Sequence, residues 1–121
     1  MATILIVDDD PAVLRLTATV LERSGYGIVR ASNGLEALML YSSYAQRLDL
    51  VLTDVDMPEM NGVELAARIR AANPTAKVLL MSGRVPPRVD VSEIDTVIPK
   101  PFHVEKLLDA IRRMLNCGKL D

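Results

Sequence analysis

Apolar residues along this chain come either in short unbroken runs that stop at acidic or turn-forming residues, or at positions recurring every three or four residues. Thr3 to Val7 is the first unbroken run, and Asp8-Asp9-Asp10 cuts it off. Leu50 to Thr53 is built the same way, closed by Asp54 and then by the turn residues Pro58 and Gly62. Tyr26 to Ala31, Ala76 to Met81 and Ile94 to Pro99 give three further strands. The last ends in a proline without a ladder donor, so it is expected at a sheet edge or a strand end. Helical spacing fills the intervals. Asp10 before Pro11 is an N-cap with proline at the first helical position; Val13, Leu16, Thr17, Val20 and Leu21 are expected on the buried face, and Gly25 stops the helix. A second helix, from Asn33 to about Tyr44, is expected to bury Leu35, Leu38 and Met39. The third carries Val63, Leu65, Ala66 and Ile69 and ends at Asn73-Pro74. The last runs from about Val104 to Asn116 with Val104, Leu107, Leu108, Ile111, Met114 and Leu115 on one face.

Strands alternating with helices predict an α/β fold, a parallel sheet covered on both faces, because each parallel crossover needs a connecting segment. One interval breaks the rhythm. Between Ser82 and Ile94 the chain contains Pro86-Pro87 and too little length for an ordinary helix, so a fourth helix there is expected to be shortened or absent, with at most one turn over 84–93.

Composition narrows the class. A length of 121 residues, half of them hydrophobic, suits one globular domain spanning 1–121 and not two. Sixteen acidic against 14 basic residues leave a net charge of -2, which offers no electrostatic attraction to nucleic acid or an anionic membrane. With Cys117 as the single cysteine, no signal-peptide pattern at the start and no apolar run near the ~20 residues of a spanning helix, residence in the cytoplasm is expected. Cys117 has no cationic neighbour in sequence and reads as an inert thiol, and His103 as an exposed residue at the start of the last helix.

Parallel strands gather their C-terminal ends at one edge, where open α/β sheets bind ligands. Asp8 and Asp9, Asp54, Ser82 and Lys100 all follow strand ends and so meet there. Each alone reads as a cap, a turn residue or a solvated charge; together they form a site. Three carboxylates at close range repel one another unless protons or a cation intervene. An all-oxygen cluster with room for water suits Mg²⁺, and Ca²⁺ less well, since no long ligand loop surrounds it. A cation beside a carboxylate prepares it to meet a phosphoryl group; Lys100 adds a second positive charge and Ser82 a hydroxyl donor. Aspartate is a nucleophile toward phosphorus, forming an acyl phosphate. Asp56, two residues on, either meets incoming water or simply shapes the turn.

These motifs, Asp8-Asp9, Asp54 with Met57-Pro58 and Gly62, Ser82, and Lys100-Pro101-Phe102, resemble the receiver domain of bacterial two-component response regulators, the CheY-like family, over essentially the whole chain. The resemblance implies a doubly wound five-stranded sheet of order 2-1-3-4-5. It implies that Asp54 is the phosphoacceptor for a histidine kinase or histidine phosphotransfer protein, that Asp9, Asp54 and the Asp56 backbone carbonyl bind Mg²⁺, and that Asp8 helps through water. Ser82 and Lys100 would hold the phosphoryl oxygens, Lys100-Pro101 would be cis, and no separate substrate would be turned over. The chain departs from the family at Val97, where an aromatic is usual three residues before the lysine, and across the Pro86-Pro87 segment, so its coupling to a downstream protein target is expected to differ in detail.

Three other readings compete. An aspartate-nucleophile phosphohydrolase of the haloacid-dehalogenase type shares Asp54-Val55-Asp56, but its acidic metal ligands should lie downstream. A flavodoxin-type nucleotide binder should present amides to phosphate after its first strand, where Asp8-Asp9-Asp10 would repel it. A phosphorylation-independent interaction module on a receiver scaffold would keep the same residues without the chemistry.

Overall fold

The computed structural model describes residues 2–83, 96–100 and 102–116. In chain order these form β1 (Thr3–Val7), α1 (Pro11–Arg23), β2 (Gly27–Ala31), α2 (Gly34–Tyr44), a 3-10 turn (Ala45–Arg47), β3 (Leu50–Asp54), α3 (Gly62–Ala72), β4 (Val78–Ser82), β5 (Thr96–Pro99) and α4 (Val104–Asn116). The shortened or absent helix expected over 84–93 lies outside the described residues, as do Pro101, and with it the expected cis bond, and Cys117. The strands pair in the order β2-β1-β3-β4-β5, and every pairing is parallel. Among the described strands β5 lies at the edge and Pro99 is its last residue, where no ladder donor is needed.

Both faces of the sheet are buried, which is why its inner strands read as unbroken apolar runs. Side chains alternate between two core clusters. Leu5 and Val7, Val51, and Val78 and Leu80 point into one, with Leu65, Ala66 and Ile69 of α3 and Ala37 and Tyr41 of α2. Ile4 and Ile6, Leu50 and Leu52, and Leu79 and Met81 point into the other, with Leu14, Ala18 and Leu21 of α1 and Leu107, Ala110 and Ile111 of α4. Val97, half-buried, packs against the first cluster.

The faces of α3 and α4 match the sequence expectation apart from Val104, and those of α1 and α2 differ from it in part. In α1 the packed residues are Leu14, Thr17, Ala18 and Leu21, while Leu16 is 56% exposed. In α2 they are Gly34, Ala37 and Tyr41, with the expected Leu38 partly buried against the same cluster, while both Leu35 and Met39 are 65% exposed. Val104 of α4 is also largely exposed. The reason is close approach. A Cβ on Gly34 would run into the Met60 side chain, and Ala18 and Ala37 are fully buried, so small residues mark the contact line and larger neighbours are turned outward.

This assignment predicts unequal truncations within one helix. Leu21→Ala should destabilise the protein by about 2–5 kcal/mol, whereas Leu16→Ala should stay within about 0.5 kcal/mol, read from urea unfolding midpoints at unchanged m-value.

Candidate functional site

Each functional side chain is held by the backbone that ends its strand. After β1, the Asp8 N–H donates to the Ala31 carbonyl at 3.2 Å, extending the β1–β2 pairing by one residue. Asp8 Oδ1 then accepts the Asp10 N–H at 2.9 Å, and Asp10 Oδ1 accepts the N–H groups of Ala12 (2.9 Å) and Val13 (3.4 Å) at the start of α1. The acidic triplet is thus two nested turns, the second of them the expected N-cap. After β3, Val55 N–H donates to the Met81 carbonyl and Gly62 N–H to the Val55 carbonyl, both at 2.9 Å. The loop from Asp56 to Asn61 therefore returns tightly beneath Asp54. Only glycine fits at its end, because a Cβ on Gly62 would collide with the Asp54 carbonyl. Where β4 and β5 end, the Lys100 N–H donates to the Ser82 carbonyl at 2.8 Å.

These anchors converge on one cluster. Carboxylate oxygens of Asp8, Asp9 and Asp54 lie within 4.8 Å of one another. Lys100 Nζ stands 2.9 Å from Asp8 Oδ2 and 3.2 Å from Asp54 Oδ1, bridging the two. Asp54 Oδ1 also accepts the Asp56 N–H at 3.3 Å. Asp54 is only 4% exposed and Asp8 only 1%. The returning loop and Lys100 cover them, and Asp9 and Asp56 remain exposed. Burial, and secondarily the neighbouring Asp8 charge, pushes the Asp54 carboxyl above its ordinary value despite the opposing pull of Lys100. Lys100 is also desolvated, which alone would lower it. Its hydrogen bond to Asp8 and the charges of Asp8 and Asp54 outweigh that and raise it, so it stays an ammonium.

All of Asp8, Asp9, Asp54, Ser82, Lys100 and Asp56 thus stand at the same sheet edge, Ser82 buried and next to Met81, the β-ladder partner of Asp54. Two features escaped the sequence reading. The Asp10 N–H fixes Asp8, a role that three consecutive aspartates after a strand could have signalled as an Asx turn. Lys100 contacts Asp8 as well as Asp54, which no sequence pattern encodes. His103 is exposed and its carbonyl accepts the Leu107 N–H at the start of α4, as expected of a first-turn residue.

Residues 4–112 match the family model of the response regulator receiver domain. The chain belongs to this family. It is 34% identical over 119 residues to the response regulator receiver protein CpdR of Brucella abortus, covering 95% of this chain and 98% of that protein. It is 40% identical to the transcriptional regulatory protein CpxR homolog of Haemophilus influenzae, covering 95% of this chain but 51% of the relative. A receiver domain from Clostridium thermocellum superposes with a TM-score of 0.93 at 26% identity over 99% of this chain and 98% of that one. The response regulator TrrA of Thermotoga maritima, solved in complex with Mg²⁺ and BeF, gives 0.87 at 34% identity over 94% and 99%. The chain is therefore a two-component receiver with the acidic pocket typical of a phosphoacceptor site, and it does not turn over a separate substrate. Family membership decides against the phosphohydrolase and flavodoxin-type readings. No helix among the described residues is long and apolar enough to cross a membrane.

Two predictions follow from the charge arrangement of this receiver. Lys100 lies where a cation would meet Asp8 and Asp54, so Lys100→Met should tighten Mg²⁺ binding by about tenfold or more in calorimetry, as one positive charge at contact range is removed. Asp54, raised in the folded state, binds its proton more tightly there than in the unfolded chain. In metal-free protein it therefore stabilises the fold below its ordinary value of 3.8, and that stability is lost as pH rises through the folded value. Asp54→Asn should flatten that loss in urea midpoints measured upward from about pH 4, and be the more stable form at neutral pH.

Proposed function

We propose that the chain, as a single receiver domain over residues 1–121, accepts a phosphoryl group on Asp54 from a histidine kinase or a histidine phosphotransfer protein, in a Mg²⁺-dependent reaction in the cytoplasm. The observation that carries this reading is the bridge of Lys100 Nζ across Asp8 Oδ2 and Asp54 Oδ1 inside a three-carboxylate cluster. In the transfer, an Asp54 carboxylate oxygen forms the new O–P bond as the donor's P–N bond breaks, and the leaving imidazole takes the electron pair. Lys100, kept protonated, exchanges Asp54 for a phosphoryl oxygen, and Ser82 donates its hydroxyl to another.

The donor set fits a hard divalent cation. Asp9 is exposed and makes no hydrogen bond or ion pair among the described residues. Asp8 has Oδ1 on the Asp10 N–H and Oδ2 on Lys100, which suits an indirect role through water. Asp9 and Asp54, with the Asp56 carbonyl, would be the direct ligands of Mg²⁺, which when bound neutralises charge on the transferred oxygens. Burial of Asp54 keeps bulk water from the acyl phosphate once formed. The downstream event is a change of conformation read by a protein target, carried from the site through Ser82 and Lys100 at the ends of β4 and β5.

Incubation with acetyl phosphate and Mg²⁺, read by intact mass, should add one phosphoryl group to the wild type and none to Asp54→Asn. Labelling of that variant, or label mapped to Asp56, would contradict the assignment, and an unlabelled wild type would favour the phosphorylation-independent module. Asp9→Ala should weaken Mg²⁺ binding by at least the roughly 10–100-fold that loss of a supporting residue alone brings.

A further inference from the structure

A cleft of about 220 Å³ lies between the start of α2 and the loop and helix that follow Asp54. Gly34, Leu35, Pro58 and Met60 give it an apolar lining, and Glu59, Glu64 and Arg68 a charged one. Leu35 and Met39, one turn apart on α2, are each 65% exposed, so apolar surface continues out of the cleft along the helix. The outward side of α2 thus carries two large apolar side chains beside the exposed Glu36, Ser42 and Ser43. Glu59 adds an independent sign: its φ of 68° holds a side-chain-bearing residue in the left-handed region, a strained conformation that gathers at clamps and switch loops.

Charge selects the occupant. Glu64 is paired with Arg68 at 3.0 Å, while Glu59 and Glu36, which adjoins Leu35 on α2, make no ion pair among the described residues. The surface is therefore apolar with a net negative border. We propose that it docks a short amphipathic segment of a partner protein, one that sets a large aliphatic side chain against Leu35 and Met60 and places Lys or Arg opposite Glu59 and Glu36. A second copy of this chain fits poorly, because a two-fold contact would lay the acidic border on itself. The volume is below the roughly 300–1,000 Å³ of small-molecule pockets and accommodates a side chain better than a free ligand. This inference stands apart from the phosphoacceptor reading and does not require it.

The test is an NMR titration of the ¹⁵N-labelled full chain with two synthetic helical peptides sharing a Leu-Ala-Ala-Leu-Leu core, one flanked by Lys and the other by Glu. The Lys peptide should shift the amides of Gly34, Leu35, Met39 and Met60, and the Glu peptide should bind about tenfold more weakly. Leu35→Gln with Met39→Gln keeps helix propensity at two exposed positions and should weaken the Lys peptide about tenfold, with the spectrum elsewhere unchanged. Absence of shifts at those amides, shifts centred on another face, equal affinity for the two peptides, or undiminished binding by the double variant would each overturn the proposal. So would concentration-dependent dimerisation of the free chain that the double variant abolishes.

Discussion

Two carboxylates buried at the lip of an apolar sheet need a counter-charge, and Lys100 supplies it by standing between Asp8 and Asp54. Much of the architecture can be traced to that contact. The lysine reaches both acids only because β5 runs parallel to β4 and ends level with it, Ser82 opposite Pro99, and because β1 and β3 end beside each other, Val7 opposite Thr53. Such a register is stable only with both faces of the sheet covered, and the two core clusters and four described helices cover them. The fold therefore brings the ends of four strands to one edge while spending its apolar residues on the two sides.

The same contact makes the site responsive. An ammonium held by two carboxylates has no reason to move unless something offers it a better partner or takes its place. A divalent cation would compete for the acids, and a phosphoryl group on Asp54 would offer new oxygens, so on the proposed function the two ligands should favour one another's binding. Because Lys100 is also tied by its backbone N–H to the Ser82 carbonyl, a shift of the lysine bears directly on the ends of β4 and β5. Val97, where the resembling family usually carries an aromatic, lies on that same edge strand and packs against the core cluster shared with α2 and α3. A signal leaving the site along β5 thus meets a small aliphatic side chain there.

Much of this was legible in the sequence, for identifiable reasons. Buried parallel strands are runs of apolar residues cut off by polar ones, so β1 falls at Thr3–Val7 as read, and Asp10-Pro11 announces the start of α1 without ambiguity. That Asp8, Asp9, Asp54, Ser82 and Lys100 gather at one sheet edge was legible because each lies at or just after a strand end. The faces of α3 and α4 were legible too, but those of α1 and α2 only in part. In α1 and α2 apolar residues fill more than one helical phase, and the phase that packs is set by Ala18, Gly34 and Ala37, whose value is their small size rather than their hydrophobicity. Nor does any sequence pattern state that Asp54 is covered, or that Lys100 reaches Asp8. Both depend on how the loop ending at Gly62 folds back and how far β5 extends.

The most direct test of the central claim is a crystal structure of the chain with Mg²⁺ and beryllofluoride. The beryllium group is expected on an Asp54 carboxylate oxygen, the cation on Asp9, Asp54 and the Asp56 carbonyl, and Lys100 Nζ moved from Asp54 to a fluoride. Beryllofluoride bound to a different carboxylate, or Lys100 still bridging Asp8 and Asp54 with the group in place, would contradict that claim.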